Sequence, residues 1–203
     1  MRAIGLILAG GNNHRMKELS TKRAIAAMPV AGSYRSIDFA LSNMSNSHVQ
    51  KVAVLTQYNS RSLNEHLSSS KWWNFGRKQG GLYLFTPTVT AENNSWYRGT
   101  ADAIWQNLDW LKQSHEPYVV IASGDGIYKK ADITIVCKEM AAGTDMSRFG
   151  AVKADDNGRV IDFEEKPMAT DAHMVSCGIY IIRRRQLIEL IEKCAEEDRY
   201  DFV

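Results

Sequence analysis

The sequence predicts an α/β fold built on a doubly wound, mostly parallel sheet. Three observations carry that expectation. Apolar runs at 4–9, 52–56 (Val-Ala-Val-Leu-Thr) and 118–122 (Tyr-Val-Val-Ile-Ala) lack the alternation of a half-exposed strand, so they read as strands buried on both faces. Segments of helical period lie between them, the alternation that winds helices over both faces of a parallel sheet. The first run also ends on Gly10-Gly11 with Arg15 behind it, which is how a buried strand delivers backbone N–H groups to a phosphate.

The helices follow from spacing. Ser36–Asn46 places Ile37, Phe39, Ala40, Leu41 and Met44 on an apolar stripe, and Arg61–Leu67 is a shorter helix. One continuous helix is expected over 100–113, with Ala101, Ile104, Leu108 and Leu111 inward. Strands are expected at 131–137, 150–153, 160–164 and 176–182, with Asp155-Asp156-Asn157-Gly158 as a hairpin turn. A last helix over 186–197 carries Leu187, Leu190, Ile191 and Cys194 on one stripe. About ten residues without a helical pattern separate the strands at 118–122 and 133–137, too few for a parallel crossover. Either these strands are not parallel neighbours, or residues are missing near Lys129-Lys130.

The bulk numbers bound the function. A chain of 203 residues supports one substantial core, or one domain with an appended piece. Its 44% hydrophobic and 24% charged residues are ordinary for a globular protein. A net charge of +2 gives no electrostatic case for nucleic acid as the main partner. Cys137, Cys177 and Cys194 are scattered with no CxxC pair, so a reduced, cytoplasmic setting is expected. No apolar run approaches the roughly 20 residues of a membrane span, and the N-terminal run reads as a strand rather than a signal peptide. The sequence stops on Tyr200-Asp201-Phe202-Val203 with no polar tail and reads as a chain that once continued.

Several residues are placed for chemistry, each with a plainer reading beside it. Asp125, in Ser123-Gly124-Asp125-Gly126 past a buried strand, suits Mg²⁺ on a substrate phosphate, since magnesium takes only one or two protein carboxylates. An Asx turn or helix cap weighs equally. Arg15, Lys22 and Arg23 behind the glycines suit phosphoryl-transfer charge, against a solvated basic face, which is preferred for Lys17. Lys166, in Glu164-Glu165-Lys166-Pro167, either faces a sugar phosphate or sits in a surface turn, and composition favours the turn. In Trp96-Tyr97-Arg98-Gly99-Thr100, Thr100 can cap a helix and Gly99 can let a base or ribose approach, against an ordinary helix start with core aromatics. Trp72-Trp73 reads as loop anchoring. The five histidines show no metal-ligand spacing, and no Ser-His-Asp or Cys-His set is present.

Taken in order, these motifs carry a resemblance. They are Leu6-Ile7-Leu8-Ala9-Gly10-Gly11, Lys22-Arg23-Ala24 and the run Tyr34-Arg35-Ser36-Ile37-Asp38-Phe39-Ala40-Leu41-Ser42-Asn43, then Thr56-Gln57-Tyr58-Asn59-Ser60. Trp96-Tyr97-Arg98-Gly99-Thr100-Ala101-Asp102-Ala103, Gly124-Asp125-Gly126-Ile127-Tyr128-Lys129, Phe149-Gly150 and Glu165-Lys166-Pro167 complete the series. Together they resemble the glucose-1-phosphate adenylyltransferase (ADP-glucose pyrophosphorylase) family over nearly the whole chain. The resemblance implies a Rossmann-like nucleotidyltransferase domain of GT-A-like fold over 1–203, followed in the family by a left-handed β-helix domain absent from this chain. It implies ADP-glucose and pyrophosphate made from ATP and glucose 1-phosphate with Mg²⁺, for glycogen synthesis.

Carried over by position, Asp125 is the metal-binding catalytic aspartate and Arg15 the cation at the ATP phosphates. By the same resemblance Lys166 would hold the phosphate of glucose 1-phosphate. Gly10, Gly11 and Tyr97 would contact ATP beside the Gly99 read above, and Gln57 and Trp96 match positions tied to allosteric signalling. Two departures stand out. Asn13 and His14 replace the Gly-Thr of active members, and Ile25-Ala26 replaces Lys-Pro. Loss of one phosphate-facing donor costs on the order of 10²–10³ in rate. These changes resemble the GlgD-type regulatory subunit, which is weakly active or inactive alone and pairs with a catalytic subunit in a hetero-tetramer. The alternative is a working adenylyltransferase.

Overall fold

The computed structural model describes residues 2–11, 21–30, 32–75, 80–89, 96–123, 133–141 and 143–201. Its centre is a sheet whose four parallel strands lie in the order β5 (Gly81–Phe85), β4 (Lys51–Thr56), β1 (Ala3–Ala9), β6 (Tyr118–Ser123). Successive side chains of a strand point to opposite faces, and here both faces are covered. Ala3, Ile7 and Ala9 of β1, Val52 and Val54 of β4, and Val120 and Ala122 of β6 pack on one side with Ile37, Ala40, Leu41 and Met44 of α1 (Ser36–Asn46) and Leu63 and Leu67 of α2 (Arg61–Leu67). On the other side, Ile4, Leu6, Ala53, Leu55, Val119 and Ile121 meet α3 (Thr100–Trp105), α4 (Leu108–Lys112) and α5 (Arg184–Glu196). The doubly wound α/β sheet expected from the apolar runs is the fold observed.

Burial on these two faces dominates the stability. A fully buried Leu or Ile contributes about 1.5–3 kcal/mol, and Ile4, Leu6, Ile7, Leu41, Leu63, Leu111 and Leu187 all reach that state. An exposed ion pair such as Arg61–Glu65 is worth at most about 1 kcal/mol. Asp38 and His66 tie α1 to α2 at 2.6 Å, and Asp38 also accepts the Arg35 N–H at 2.8 Å.

Beyond β6 the sheet turns antiparallel. β10 (Met174–Arg183) pairs with β6 through Ile179–Arg183 and with β8 (Gly150–Ala154) through Met174 and Val175. β9 (Val160–Glu165) closes that edge. β7 (Ile133–Glu139) runs along the other edge of β10, antiparallel to it. β6 and β7 are thus not neighbours, but both run antiparallel to β10 and so parallel to each other. The short connection between them must still cross β10; its residues, 124–132, lie outside the described residues. The register of β10 against β7 shifts between Ser176 and Tyr180, and Gly178 at φ 68° supplies the bulge. The expected hairpin turn joins β8 to β9, with the Gly158 N–H donating to the Asp155 carbonyl at 2.8 Å.

Three differences from the expected elements have local causes. The single helix over 100–113 is two helices, α3 and α4. Asn107 breaks it by donating its side-chain amide to the Ala103 carbonyl at 2.8 Å, the acceptor its own backbone N–H would use in a continuous helix. α5 starts at Arg184, whose N–H donates to the Pro117 carbonyl and whose guanidinium reaches the Glu116 carbonyl at 3.0 Å. Strand β5 was not expected: it is a five-residue edge strand with no fully buried residue, too short and too open to carry the apolar-run signal of β1, β4 and β6. A two-residue pair, β2 (Pro29–Val30) with β3 (Tyr34–Arg35), precedes α1.

Candidate functional site

The strand order reverses at β1, with β4 on one side and β6 on the other, and ligands of such sheets bind at the carboxyl ends of the strands beside that point. A cavity of about 430 Å³ opens there, within the range of small-molecule sites. Leu8, Leu55 and Ala103 form an apolar floor, and Gly10 and Gly11 form one lip. Tyr58, Tyr97, Arg98, Gly99 and Thr100 form the facing wall, with Gln57, Ser123 and Asp201 completing the rim. Aromatic faces, a cation and polar groups over an apolar floor suit a flat heterocycle carrying polar substituents.

The two glycines serve different ends. A Cβ on Gly10 would lie 3.2 Å from the Gln57 Cβ, so this glycine lets the loop close on the end of β4. A Cβ on Gly11 would meet nothing within 4 Å, so this residue faces open space. Gln57 is buried and grips Tyr97 at both ends of its amide: the Tyr97 N–H donates to Oε1 at 2.9 Å, and Nε2 donates to the Tyr97 carbonyl at 3.3 Å. The end of β4 and the segment before α3 are thereby tied together.

Beside that clamp, Trp96 stacks on Tyr58 with ring centroids 5.7 Å apart and planes 10° from parallel. Both rings are open, at 59% and 42% exposure. Tyr97 is buried; its phenol accepts a hydrogen bond from Asn107 Nδ2 at 3.0 Å, and burial holds its pKa above the usual value. Asp102 is also buried and accepts the Arg98 N–H at 3.0 Å, the Arg98 guanidinium at 2.7 Å and Gln106 Nε2 at 2.9 Å. The hydrogen bond to Asp102 raises the pKa of Arg98, and the two form an ion pair within the wall.

Gly99 lines this wall, but the close approach it permits is to the chain itself. A Cβ there would sit 2.2 Å from the Tyr200 carbonyl oxygen and 2.5 Å from Asp201 Oδ1. Neither Asp201 nor Ser123 was legible as a lining residue, because sequence separation hides which strand ends and loops converge.

Lys166 stands apart, at the end of β9, and is not among the residues lining the cavity. It adopts φ 50°, its N–H donates to the Phe149 carbonyl at 2.9 Å, and its ammonium pairs with Glu165 at 2.6 Å. A non-glycine residue held at positive φ stores backbone strain that the neighbouring structure must sustain. The β10 bulge lies between the two regions. Gly178 approaches Ser123, its N–H donates to Ser176 Oγ at 3.2 Å, and Tyr180 feels the charge of Glu165. Burial, first, and then Glu165 raise the Tyr180 pKa against a lowering by Ser176. Ser176 and Tyr180 were not singled out from sequence; a serine two residues before a glycine inside a strand was the available signal.

Arg15 and Asp125, with Asn13 and His14, lie outside the described residues. Ile25 is half-buried in a single 3-10 turn, Ile25–Ala27, whose first carbonyl accepts Ser36 Oγ at 3.1 Å. Among the described residues no three His, Cys, Asp or Glu side chains gather into a metal-binding group. Nor, among them, is any helix long and apolar enough to cross a membrane.

Comparisons with known proteins place the chain in a family. A family model described as Nucleotidyl transferase matches residues 4–202. Curated relatives named glucose-1-phosphate adenylyltransferase include that of Thermotoga maritima, 38% identical over 98% of this chain and 49% of its own length. Those of Lachnospira eligens (39%, covering 98% and 50%) and Clostridium kluyveri (40%, covering 89% and 50%) carry the same name. The chain spans about half the length of the curated relatives it matches.

Proposed function

The chain belongs to the nucleotidyl transferase family, and we propose that it is the nucleotidyltransferase domain of a GlgD-type subunit of glucose-1-phosphate adenylyltransferase. In this reading the subunit tunes a catalytic partner and has little or no turnover alone. The observation that carries the nucleotide half is the cavity between Gly11 and the wall from Tyr97 to Thr100, at the carboxyl ends of β1, β4 and β6. The relatives' shared name supports glucose 1-phosphate as acceptor of an adenylyl group; in this proposal ATP is the donor and occupies the cavity, and glucose 1-phosphate lies toward Lys166. Gly10, Gly11, Tyr97 and Gly99 are the nucleotide contacts in this proposal. Mg²⁺, when bound at Asp125, would neutralise charge on the transferring phosphates. Lys166 at the end of β9 is the proposed ligand of the sugar phosphate. Gln57, clamped to Tyr97, and Trp96, stacked on Tyr58, are the proposed route by which effector state reaches the nucleotide wall.

The regulatory assignment rests on residues that follow the glycines in sequence. By the resemblance, Ile25 stands where active members carry lysine, and Asn13 and His14 where they carry Gly-Thr. Removing one cation from a site that works by electrostatic stabilisation costs orders of magnitude in rate. The deciding experiment co-expresses the full-length product with a catalytic subunit and measures ADP-glucose synthesis and its effector response. A changed rate or effector response supports the reading; unchanged values on both counts defeat it. Retention of Arg15, Asp125 and Lys166 favours the second reading, a working adenylyltransferase. Turnover of ATP and glucose 1-phosphate by the purified full-length protein alone would establish it. Ile25→Lys with Asn13→Gly raises activity if those positions are the defect.

A further inference from the structure

The start of α3 is not capped by its own neighbours. The N–H groups of Ala101 and Asp102 both donate to the Tyr200 carbonyl, at 2.9 and 3.1 Å, and the Thr100 N–H donates to Asp201 Oδ1 at 3.1 Å. The first N–H groups of a helix have no partner within the helix, and here residues from the far end of the chain satisfy them. Two further contacts make the docking specific. Only a glycine fits at position 99, because any Cβ would overlap the Tyr200 carbonyl. The Arg98 guanidinium lies 3.8 Å over the Tyr200 ring while its other side is held by Asp102.

The approach of this segment is also set. The Arg199 N–H donates to the Cys194 carbonyl at 2.8 Å, Asp198 turns the chain at φ 53°, and the Tyr200 hydroxyl donates to Asp198 at 3.1 Å. Arg98, Gly99, Thr100 and Asp201 line the candidate nucleotide cavity, whereas Tyr200 does not. Tyr200 therefore touches the cavity only through the residues it holds.

We propose that Tyr200 and Asp201 form a positioning strap for the nucleotide wall: docked on residues 98–102, the strap holds Gly99 and Thr100 in the geometry that binds nucleotide. This rests on the nucleotide reading of the cavity. Strap docking and nucleotide occupancy then stabilise each other, and by linkage each is measurable through the other. Tyr200 is a positioning residue, not a ligand.

The test uses the full chain, MgATP and glucose 1-phosphate as separate titrants, and hydrogen exchange of the Thr100, Ala101 and Asp102 amides. In the wild type, saturating MgATP slows exchange of these amides. Tyr200→Ala removes the ring beneath Arg98; it speeds their exchange about tenfold, weakens MgATP binding at least fivefold and leaves glucose 1-phosphate binding unchanged. Tyr200→Phe keeps the ring and stays within twofold of wild type on every count. Equal MgATP affinity in wild type and Tyr200→Ala overturns the strap and leaves the nucleotide reading standing. Parallel loss of both ligands overturns it as well, because that marks general destabilisation. If the wild type binds no MgATP while Tyr200→Ala still speeds exchange, the nucleotide reading has failed and the coupling falls with it. Should Tyr200→Ala not fold, the wild-type exchange experiment decides alone: no slowing by bound MgATP overturns the proposal.

Discussion

The buried amide of Gln57 meets the backbone of Tyr97 at both its N–H and its carbonyl. A glutamine side chain thus stands in for one rung of a sheet between the end of β4 and the segment entering α3. Leaving buried polar groups unpaired costs about 1–3 kcal/mol each. Gln57→Ala is expected to lower stability by about 2–4 kcal/mol, read from urea unfolding, with Trp96 fluorescence changed because its neighbour Tyr97 is released. Gln57→Glu keeps one acceptor for the Tyr97 N–H and is expected to lose less.

Gly99→Ala is expected to destabilise by about 1–3 kcal/mol, because the added methyl would overlap the Tyr200 carbonyl. The same substitution at Gly11 faces open space and is expected to change the unfolding midpoint little. Thermal unfolding of the two variants side by side checks this.

Tyr97 and Tyr180 both have raised pKa values, chiefly from burial. The folded chain therefore keeps these phenols protonated where the unfolded chain releases the proton. Their contribution to stability is complete below pH about 10, the ordinary tyrosine value, and is lost as pH rises through the folded values. Ultraviolet titration at alkaline pH is expected to show late-ionising tyrosines, and Tyr97→Phe is expected to remove part of the alkaline loss of stability. The Asn107 hydrogen bond lowers the Tyr97 pKa, so Asn107→Ala moves that ionisation higher still.

Lys166→Ala removes the proposed cation for the sugar phosphate. A charge-assisted hydrogen bond is worth about 1.5–3 kcal/mol, so glucose 1-phosphate affinity is expected to fall about 10- to 100-fold with MgATP affinity unchanged. Isothermal titration with each ligand checks the split.

Three of the four parallel strands, β1, β4 and β6, were legible because burial on both faces leaves an apolar run; the edge strand β5 was not. Where strands pair by side rather than by sequence, the chain gave less away. β10 reads as one ordinary strand, yet it holds β6, β7 and β8 through separate stretches. The break at Asn107 was invisible to periodicity, since Ala101, Ile104, Leu108 and Leu111 keep their spacing across it. At the cavity, the glycines and Tyr97 were readable as a local motif. Asp201 was not, because only folding brings residues a hundred positions apart to one rim.

The forked pairing of β10 has a consequence for the order in which the chain folds as it is made. β1, β4, β5 and β6 can join as soon as Ser123 is available, but one side of β6 then stays open. β7 emerges next with no partner and waits while β8 and β9 form their own hairpin. Synthesis of β10 closes the waiting edges of β6, β7 and β8 at once. Until then the nascent chain carries unpaired strand edges, which are templates for wrong pairing. A chain truncated before Met174 is therefore expected to aggregate far more than one truncated after Glu196, which keeps β10 and α5.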